Sequence, residues 1–482
     1  MSEKLDYKKL GLKCGLEIHQ QLDTTKLFCD CPSILRKDEH DFEIKRRLHA
    51  VAGEFGDIDV AAEYQASMKN EFIYQGYDTT CLIELDEEPP HEINKEALSI
   101  ALQICMLFNA KIFPLSQIMR KTVIDGSNTS GFQRTVMIAR DGYIETKQGR
   151  VGIEGIFLEE DAARIIEKGK DKTIYRLDRL GIPLVEIATS PDIKTPEQAK
   201  EVALHIGNIL RSCKVKRGLG TIRQDINISI QSGQRIEIKG FQDPKIMIKT
   251  VNNEIKRQLD LIKNKKKLEP EVRNSLPNGE SKFLRPMPGA ARMYPETDLP
   301  LLKIPLNLLN QIKKNLPKLK SDIKKELKNK GLNEEMIKLL FKQNKLEEFR
   351  ELSKIINNLQ LIGKIILIFP KEIARHSNLP LVEVEKILDK DAFMFILEAL
   401  KDSKISENQI KQVLERIVNG QKLKDAILFK KEDINIIEEK IRKIIKEKPG
   451  LSEKAYMGLV MKELRDKING REAMEIIKKF VR

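Results

Sequence analysis

The stretch TIRQDINISIQSGQRIEIK (residues 221–239) decides the fold of the first half of the chain. Polar and apolar residues alternate with a period of two along 221–230 and again along 235–239, which predicts two β-strands. The turn-forming segment QSGQ between them predicts an antiparallel hairpin. Isoleucines occupy one face of the first strand, and the other face carries Arg223, Asp225, Asn227 and Ser229.

The polar face of this hairpin is a candidate binding surface. A three-residue loop would place Asp225 opposite Lys239 and Asn227 opposite Glu237. Carboxylate and amide oxygens beside a cation suit a phosphate group together with Mg²⁺. The alternative is an ordinary solvent-exposed face with cross-strand ion pairs, and the hairpin alone leaves both interpretations open.

The segments around the hairpin predict an α+β fold. EALSIALQICMLF (96–108) has the composition and length of a helix, and single helices of this kind are interleaved with short strands and tight turns. This order favours a mixed or antiparallel sheet over a doubly wound one. The sequence contains neither GxxxxGK[ST] nor GxGxxG, so neither a P-loop nor a dinucleotide-binding motif supports nucleotide binding.

The pattern becomes helical from about residue 304, where Leu, Ile, Lys and Glu dominate and Ser321 and Asn333 are candidate helix caps. We therefore predict a sheet domain over 1–300, a helical domain over 301–450, and a small helical tail domain over 451–482 that begins after Pro449 and Gly450.

Composition and charge limit the function classes. The 482 residues are 41% hydrophobic, which is enough for a buried core. No apolar run is long enough to span a bilayer, and the first ten residues lack the apolar stretch of a signal peptide, so we expect a cytoplasmic protein with no membrane partner. Residues 301–482 carry 40 Lys and Arg against 27 Asp and Glu. This excess predicts attraction to a polyanion such as nucleic acid, although a Lys-rich surface can also serve solubility or heat tolerance.

Three acidic segments are candidates for metal or phosphate binding. In KCGLEIHQQLDT (13–24), a strand would point Glu17 and His19 to one face, where they could hold a divalent cation, although the spacing alone favours a half-exposed strand whose histidine is satisfied by a neighbour. Glu159 belongs to an acidic group that is also typical of a solvated helix start. Glu186 interrupts an apolar run, and a carboxylate in a buried strand needs a partner or a metal.

Two further segments are less specific. The loop DGSNTSG (125–131), which contains Ser127 and is followed by Arg134, could wrap an anion with its backbone N–H groups or could be a structural turn. The six cysteines are unevenly spaced, which favours reduced thiols. Cys29 and Cys31 form a C-x-C pair, but Cys81 or His91 could complete a zinc site only if the fold brought them there, so we do not expect structural zinc.

Eight longer segments together carry a resemblance to a known family. They are GLEIHQQLDTTKLFC (15–29), LDEEPPH (85–91), RKTVIDGSNTSGFQRT (120–135), LEEDAAR (158–164), YRLDRLGIPLVEIAT (175–189), VKRGLGTIRQDINISI (215–230), FLRPMP and RMYPETDLP at the two ends of 283–300, and GLVMKELR (458–465). These segments resemble the GatB/GatE family of tRNA-dependent amidotransferases, and within it the archaeal GatE branch, to which the loop DGSNTSGFQRT is similar.

The resemblance implies a cradle domain with a kinase-like site, a helical domain, and a tail domain that contacts tRNA. In the family, ATP phosphorylates the γ-carboxylate of glutamate mischarged on tRNA(Gln), and ammonia then displaces the phosphate. The sequence shows no hydrolytic nucleophile motif such as G-x-S-x-G. The resemblance therefore implies that an asparaginase-like GatD partner supplies ammonia, in an expected heterotetramer of two GatD and two GatE chains.

The resemblance also implies the residues of the site. Mg²⁺ is expected on His19, Glu159 and Glu186. The expected catalytic residues are Glu17, Asp225, Asn227, Arg134 and Lys239, and the expected ATP contacts are Ser127 and Arg223.

One departure from the family concerns the junction after the cradle. GatE proteins typically carry a large insertion there, similar to one in aspartyl-tRNA synthetases, but here residues 258–279 cross the junction directly. Another surface is then expected to select the tRNA, or the selection is looser. The alternatives to a GatE-like protein are a GatB-like component of an enzyme built from three different chains and a non-catalytic tRNA-binding relative.

Overall fold

A computed structural model of the chain describes residues 5–49, 56, 58, 60–67, 70–169, 171–241, 244–287, 293–428, 434–464, 468 and 470–481. The chain forms two compact units, of which the first ends at Lys320 and the second begins at Ser321. The predicted domain borders at residues 300 and 450 remain predictions. Residues 288–292 and Arg465, which belong to two of the matching motifs, lie outside the described residues.

The strands are β1 (Lys13–Gln21), β2 (Phe42–Arg46), β3 (Glu71–Gly76), β4 (Lys111–Ile112), β5 (Leu115–Ser116), β6 (Met119–Thr122), β7 (Phe132–Thr146), β8 (Gly149–Glu160), β9 (Arg164–Lys168), β10 (Lys172–Arg176), β11 (Pro183–Thr189), β12 (Ile222–Ser229), β13 (Ile236–Phe241), β14 (Glu271–Ser275), β15 (Ser281–Pro286), β16 (Met293–Pro295) and β17 (Leu302–Lys303).

The helices are α1 (Val60–Ser67), α2 (Lys95–Leu107), α3 (Pro196–Leu210), α4 (Pro244–Lys263), α5 (Leu306–Lys314), α6 (Lys320–Asn329), α7 (Glu334–Lys342), α8 (Leu346–Leu352), α9 (Leu359–Leu367), α10 (Phe369–Ser377), α11 (Leu381–Ile387), α12 (Lys390–Lys401), α13 (Ile410–Val418), α14 (Leu423–Ala426), α15 (Ile434–Glu447), α16 (Glu453–Leu464) and α17 (Gly470–Phe480).

An eleven-stranded sheet forms the centre of the first unit. Its strand order is β15-β14-β13-β12-β1-β11-β8-β7-β6-β16, and β4 pairs with β7 off this path. All of these pairs are antiparallel except β13 with β14, so the sheet is mixed. A second sheet has the order β2-β3-β10-β9. The predicted α+β class is confirmed, as are the hairpin of β12 with β13 and the helix over 96–108.

Helices α2, α3 and α4 pack on one face of the large sheet and form the main core with it. Alternation along β1 turns Leu16 and Ile18 into this core, where both are buried. The same alternation turns Glu17 and His19 to the opposite face, which the helices leave open. A sheet covered on one face only can therefore present a row of polar side chains on the other.

The second unit is helical and contains two separate hydrophobic clusters. Buried residues between Ile323 and Ala426 form the first, and α15, α16 and α17 form the second. Asn333 caps α7 as predicted, since its side chain accepts a hydrogen bond from the Met336 backbone N–H at 2.8 Å. The prediction for Ser321 is wrong, because α6 begins at Lys320 and contains Ser321. Within the described residues, no helix combines the length and apolarity needed to cross a bilayer.

Candidate active site

The open face of the large sheet carries a hollow of about 590 Å³, which is within the usual size range of small-molecule sites. It lies over β1, β6, β7, β8, β11, β12 and β13. Its charged lining consists of six carboxylates, five basic side chains and one imidazole: Glu17, Glu159, Asp161, Glu186, Asp225, Glu237, Lys121, Arg223, Arg235, Lys239, Arg285 and His19.

His19, Glu159 and Glu186 converge in this hollow. Their ligand atoms all lie within 4.8 Å of one another, with His19 Nε2 at 3.2 Å from Glu186 Oε2 and 3.8 Å from Glu159 Oε1. The strand register explains the meeting, because His19 on β1 is directly opposite Glu186 on β11, and β8 with Glu159 is the next strand. His19 and Glu186 are 167 residues apart in the sequence, and the pairing of their two strands brings them together.

Lys121 of β6 completes the charge balance of this trio. Its Nζ donates to Glu159 Oε2 at 2.8 Å and lies 3.5 Å from Glu186 Oε2. Burial by itself would raise the pKa of Glu186, but the charge of Lys121 and the hydrogen bond from His19 hold that pKa well below its usual range. Burial would lower the pKa of His19, yet Glu186, Glu159 and Asp225 together raise it above its ordinary value. These contacts therefore keep the Glu186 carboxylate ionised.

A second acidic set lies beside the first. The carboxylates of Glu17, Asp225 and Glu237 place ligand oxygens within 4.8 Å of one another. Lys239 Nζ donates to Asp225 Oδ2 at 3.0 Å and lies 2.6 Å from Glu237 Oε1. Burial, Glu237 and Glu186 raise the pKa of Glu17, since each disfavours a further negative charge. Asn227 holds Glu17 in place by donating from Nδ2 to Oε1 at 2.9 Å.

The hairpin register is partly as predicted. Asn227 pairs with Glu237, but the register shifts between Gln224 and Ile226, so Asp225 lies at a β-bulge. At the bulge the Asp225 carboxylate accepts hydrogen bonds from both Lys239 Nζ and the Gly240 backbone N–H, each at 3.0 Å. Gly240 has a φ of +88°, a conformation that favours glycine.

Asp161 anchors the edge of the hollow next to β12. Its carboxylate is fully buried and accepts hydrogen bonds from Arg223 Nη2 at 2.9 Å and from Gln21 Nε2 at 2.6 Å. Burial would raise the pKa of Asp161, but Arg223 and Arg179 hold it below its ordinary value. This ion pair fixes Arg223 with its guanidinium at the wall of the hollow.

Two predicted site residues lie outside the hollow. Side chains alternate between the two faces of β7, so Gln133 and Thr135 line the hollow and Arg134 between them points to the opposite face. There the Arg134 Nε donates to Glu296 Oε2 at 2.8 Å. Ser127 lies in the loop 125–131, whose Gly126 carbonyl accepts a hydrogen bond from Tyr74 at 2.8 Å. A Cβ on Gly126 would lie 2.2 Å from the Phe72 ring, so this loop is packed tightly against β3.

The remaining predicted residues meet in the hollow or directly behind it. Glu17, His19, Glu159, Glu186, Arg223, Asp225 and Lys239 line it, and Asn227 supports Glu17. The prediction did not name Lys121, Gln133, Asp161 or Glu237 as site residues. Glu237 could have been found from its position opposite Asn227, and Asp161 from its place two residues after Glu159.

These features define a class of protein: an enzyme domain in which one open sheet face carries an imidazole–carboxylate trio, an all-carboxylate trio and interleaved cations around a cavity large enough for a nucleotide-sized ligand. The sequence profile of the GatB/GatE catalytic domain matches residues 12–310, which contain the whole hollow.

Similar proteins cover almost the whole chain. The E component of glutamyl-tRNA(Gln) amidotransferase from Methanocaldococcus jannaschii is 38% identical over 635 aligned positions, which span 99% of both chains. The protein of the same name from Methanosarcina barkeri is 36% identical over 99% of this chain and 98% of its own, and that from Pyrococcus horikoshii is 36% identical over 93% and 91%. The first alignment exceeds the 482 residues of this chain by 153 positions, so the relative contains segments that this chain lacks.

The chain belongs to the GatB/GatE family of amidotransferase subunits.

Proposed function

We propose that this chain is the component of a glutamyl-tRNA(Gln) amidotransferase that activates glutamate on tRNA with ATP and converts it to glutamine. The observation that carries the proposal is the convergence of His19, Glu159 and Glu186 within 4.8 Å of one another in the hollow. The names of the similar proteins support the substrate, and their designation as one lettered component supports an enzyme built from several different chains.

The reaction needs activation because a carboxylate is a poor electrophile. In the first step an oxygen of the γ-carboxylate attacks the γ-phosphorus of ATP, ADP leaves, and an acyl phosphate forms. In the second step ammonia attacks the carbonyl carbon, inorganic phosphate leaves, and the nitrogen loses a proton to give the amide. Phosphoryl transfer of this kind depends on positioning and charge neutralisation more than on a protein nucleophile.

The donor set of the first trio fits Mg²⁺. It offers two carboxylates and one imidazole nitrogen, and the second trio offers oxygen ligands only. A bound Mg²⁺ supplies charge stabilisation to phosphate oxygens. Six carboxylates and five basic side chains nearly balance in the hollow, so a divalent cation would add positive charge that attracts a triphosphate.

The chain's own cations have positions suited to the phosphates. Arg223 is fixed by Asp161 with its guanidinium at the wall, and Lys239 is fixed by Asp225 and Glu237. Burial would lower the pKa of Lys239, but these two carboxylates raise it far enough to keep the ammonium charged. We assign both side chains to neutralising charge during phosphoryl transfer.

Ammonia would come from an asparaginase-like partner protein, and the helical unit would supply the electrostatic surface for tRNA. The second part rests on the excess of 40 Lys and Arg over 27 Asp and Glu in residues 301–482. The first part rests on the lining of the hollow. Among the described residues, the one hydroxyl side chain that lines it is Thr135, and no thiol lines it, so the hollow offers few nucleophiles for releasing ammonia from an amide.

The test is phosphate release from ATP by the full chain with Mg²⁺ and Glu-tRNA(Gln), with ammonium chloride replacing the partner as the nitrogen source. We expect phosphate release to require the charged tRNA, and Gln-tRNA(Gln) to form only when ammonium is added. Glu159→Gln should abolish release, whereas Glu154→Gln, an exposed position on the same strand, should not change it. Release that is equal with uncharged tRNA would overturn the proposal.

A further inference from the structure

Thr135 on β7 carries a buried hydroxyl group that lacks a partner. Its side chain is 3% exposed and lines the hollow, and within the described part of the chain its Oγ1 has no hydrogen-bond partner. Buried polar groups of folded proteins are nearly always hydrogen-bonded, because an unpaired hydroxyl retains the full cost of leaving water. The hydroxyl therefore points to a partner from outside the chain, and its place in the wall indicates a ligand of the hollow.

Thr135 lies directly beside the imidazole–carboxylate trio. In the strand register it is the partner of Glu159 on β8. Two other side chains hold Glu159 from the same side: Gln133 Nε2 donates to its Oε1 at 3.1 Å, and Lys121 Nζ donates to its Oε2 at 2.8 Å. The Gln133 amide also donates to a backbone carbonyl of β8, so it is committed to holding this strand. Thr135, Gln133 and Lys121 thus form one polar group on the β7 and β6 side of Glu159.

The strand order divides the hollow into two halves around the trio. The trio itself lies on β1, β11 and β8, which are three consecutive strands of the large sheet. Arg223 and Lys239, which we assign to the phosphates, lie beyond β1 on β12 and β13. Thr135 and Lys121 lie beyond β8 on β7 and β6. Neighbouring strands are about 4.8 Å apart, so β12 and β7 flank the trio at similar distances on opposite sides.

The geometry of phosphoryl transfer determines the side from which the attacking group arrives. The attacking and leaving oxygens lie roughly in line on opposite sides of the γ-phosphorus. A γ-phosphoryl group at the trio, with the leaving ADP extending towards β12 and β13, is therefore attacked from the side of β7 and β6. A carboxylate that approaches there needs a hydrogen-bond donor and a positive charge, and the Thr135 hydroxyl and the Lys121 ammonium supply them.

Building on the proposed function, we infer that Thr135 and Lys121 form the seat of the glutamyl γ-carboxylate, on the side of the trio opposite the phosphates. Thr135 Oγ1 donates a hydrogen bond to one oxygen of the substrate carboxylate. The Lys121 ammonium, 2.8 Å from Glu159 Oε2, offsets the repulsion between Glu159 and that carboxylate. Phe157 on β8 and Met293 on β16 line the same half of the hollow and suit the two methylene groups of the glutamyl side chain.

The first test measures binding without ATP, so that it does not depend on turnover. Filter binding at one salt concentration compares the affinity of the full chain for Glu-tRNA(Gln) with its affinity for uncharged tRNA(Gln). We expect the wild type to prefer the charged tRNA about 10-fold, and Thr135→Val and Lys121→Met each to lower this ratio at least about threefold. Thr135→Ser should keep the ratio, as should Thr250→Val, which alters a buried threonine of α4 whose hydroxyl donates to the Ile246 carbonyl. A wild type without the preference, or a Thr135→Val chain that keeps it, would overturn the seat. A Lys121→Met chain that keeps it would assign Lys121 to balancing the trio and overturn its place in the seat.

The second test separates the two halves of the hollow by the kinetics of phosphate release. Thr135→Val should raise KM for Glu-tRNA(Gln) about 10-fold and change KM for ATP less than about twofold, and Thr135→Ser should restore the wild-type values. A KM for ATP that rises instead would place Thr135 with the phosphates and overturn the seat. Wild-type phosphate release that does not depend on the charged tRNA would refute the proposed function. Wild-type release that does depend on it, together with an unaffected Thr135→Val chain, would refute the seat alone.

Discussion

Asp161 offers a demanding test of how the hollow is held together, because its carboxylate is charged although fully buried. Asn at this position keeps the shape but removes the charge that Arg223 Nη2 contacts at 2.9 Å. Arg179, whose Nε lies 3.9 Å from Asp161 Oδ1, would lose the same counter-charge. The variant therefore removes the counter-charge that the Arg223 and Arg179 guanidinium groups share.

The loss of stability expected for Asp161→Asn follows from the burial of the ion pair. Removing one partner of a buried ion pair costs about 3–5 kcal/mol. Because the Arg223 and Arg179 side chains are 31% and 25% exposed, water offsets part of the loss, and we expect a value near the lower end, about 3 kcal/mol. The matched control is Glu96→Gln, whose ion pair with Lys214 is shorter, 2.6 Å, but 55% exposed on both sides. It should cost at most about 1 kcal/mol.

The assay is native-state hydrogen exchange of the full chain, read at peptides from β1 and β12. Arg223 and Arg179 hold the pKa of Asp161 below its ordinary value, so the stabilisation is present above the unfolded-state pKa of about 3.9 and is lost as the pH falls through the folded-state pKa. The difference between wild type and Asp161→Asn should therefore shrink below about pH 4. Equal losses of exchange protection in Asp161→Asn and Glu96→Gln would refute the reasoning. So would a difference between wild type and Asp161→Asn that grows on acidification.

Three further predictions concern the reaction, the helical unit and the tRNA surface. Glu186→Gln should abolish phosphoryl-glutamate formation while tRNA affinity changes less than twofold; a large fall in affinity, measured by filter binding, would indicate a structural role instead. Ile366→Ala should lower the free energy of unfolding of the helical unit by about 2–5 kcal/mol, because Ile366 is buried in its larger core. The exposed Val382→Ala should change it by less than about 0.5 kcal/mol, and equal exchange rates for the two variants in α9 peptides would contradict this. Binding of tRNA should weaken steeply as salt rises, since the excess positive charge lies beyond residue 300, and a flat dependence of log Kd on log salt would count against that surface.

Local sequence patterns were sufficient to predict the strands, the helices and the sheet face to which a side chain points. Period-two alternation correctly placed Glu17 and His19 together and away from the core, and the apolar run around Glu186 correctly indicated a buried strand. The resemblance to known motifs supplied the grouping of His19, Glu159 and Glu186, because no local signal shows which strands pair across 167 residues.

The differences from the predicted site have local physical causes. Arg134 was grouped with the anion loop, but alternation along its own strand turns Gln133 and Thr135 to the hollow, and the catalytic role of Arg134 remains a prediction. The bulge at Asp225 was missed because it depends on the positive φ of Gly240 near the end of β13. Cys81 could not be placed with Cys29, since two turns from different sheets bring them together.

The position of β1 has a consequence for biosynthesis. This strand is synthesised before the other strands of its sheet, yet it lies in the interior between β11 and β12, whose residues follow some 170 to 200 positions later. Until then both of its hydrogen-bonding edges are open, a state that invites aggregation and slows folding. A nascent chain of this protein should therefore rely on a chaperone until residue 229 has emerged, and truncation before β12 should yield insoluble product rather than a smaller working domain.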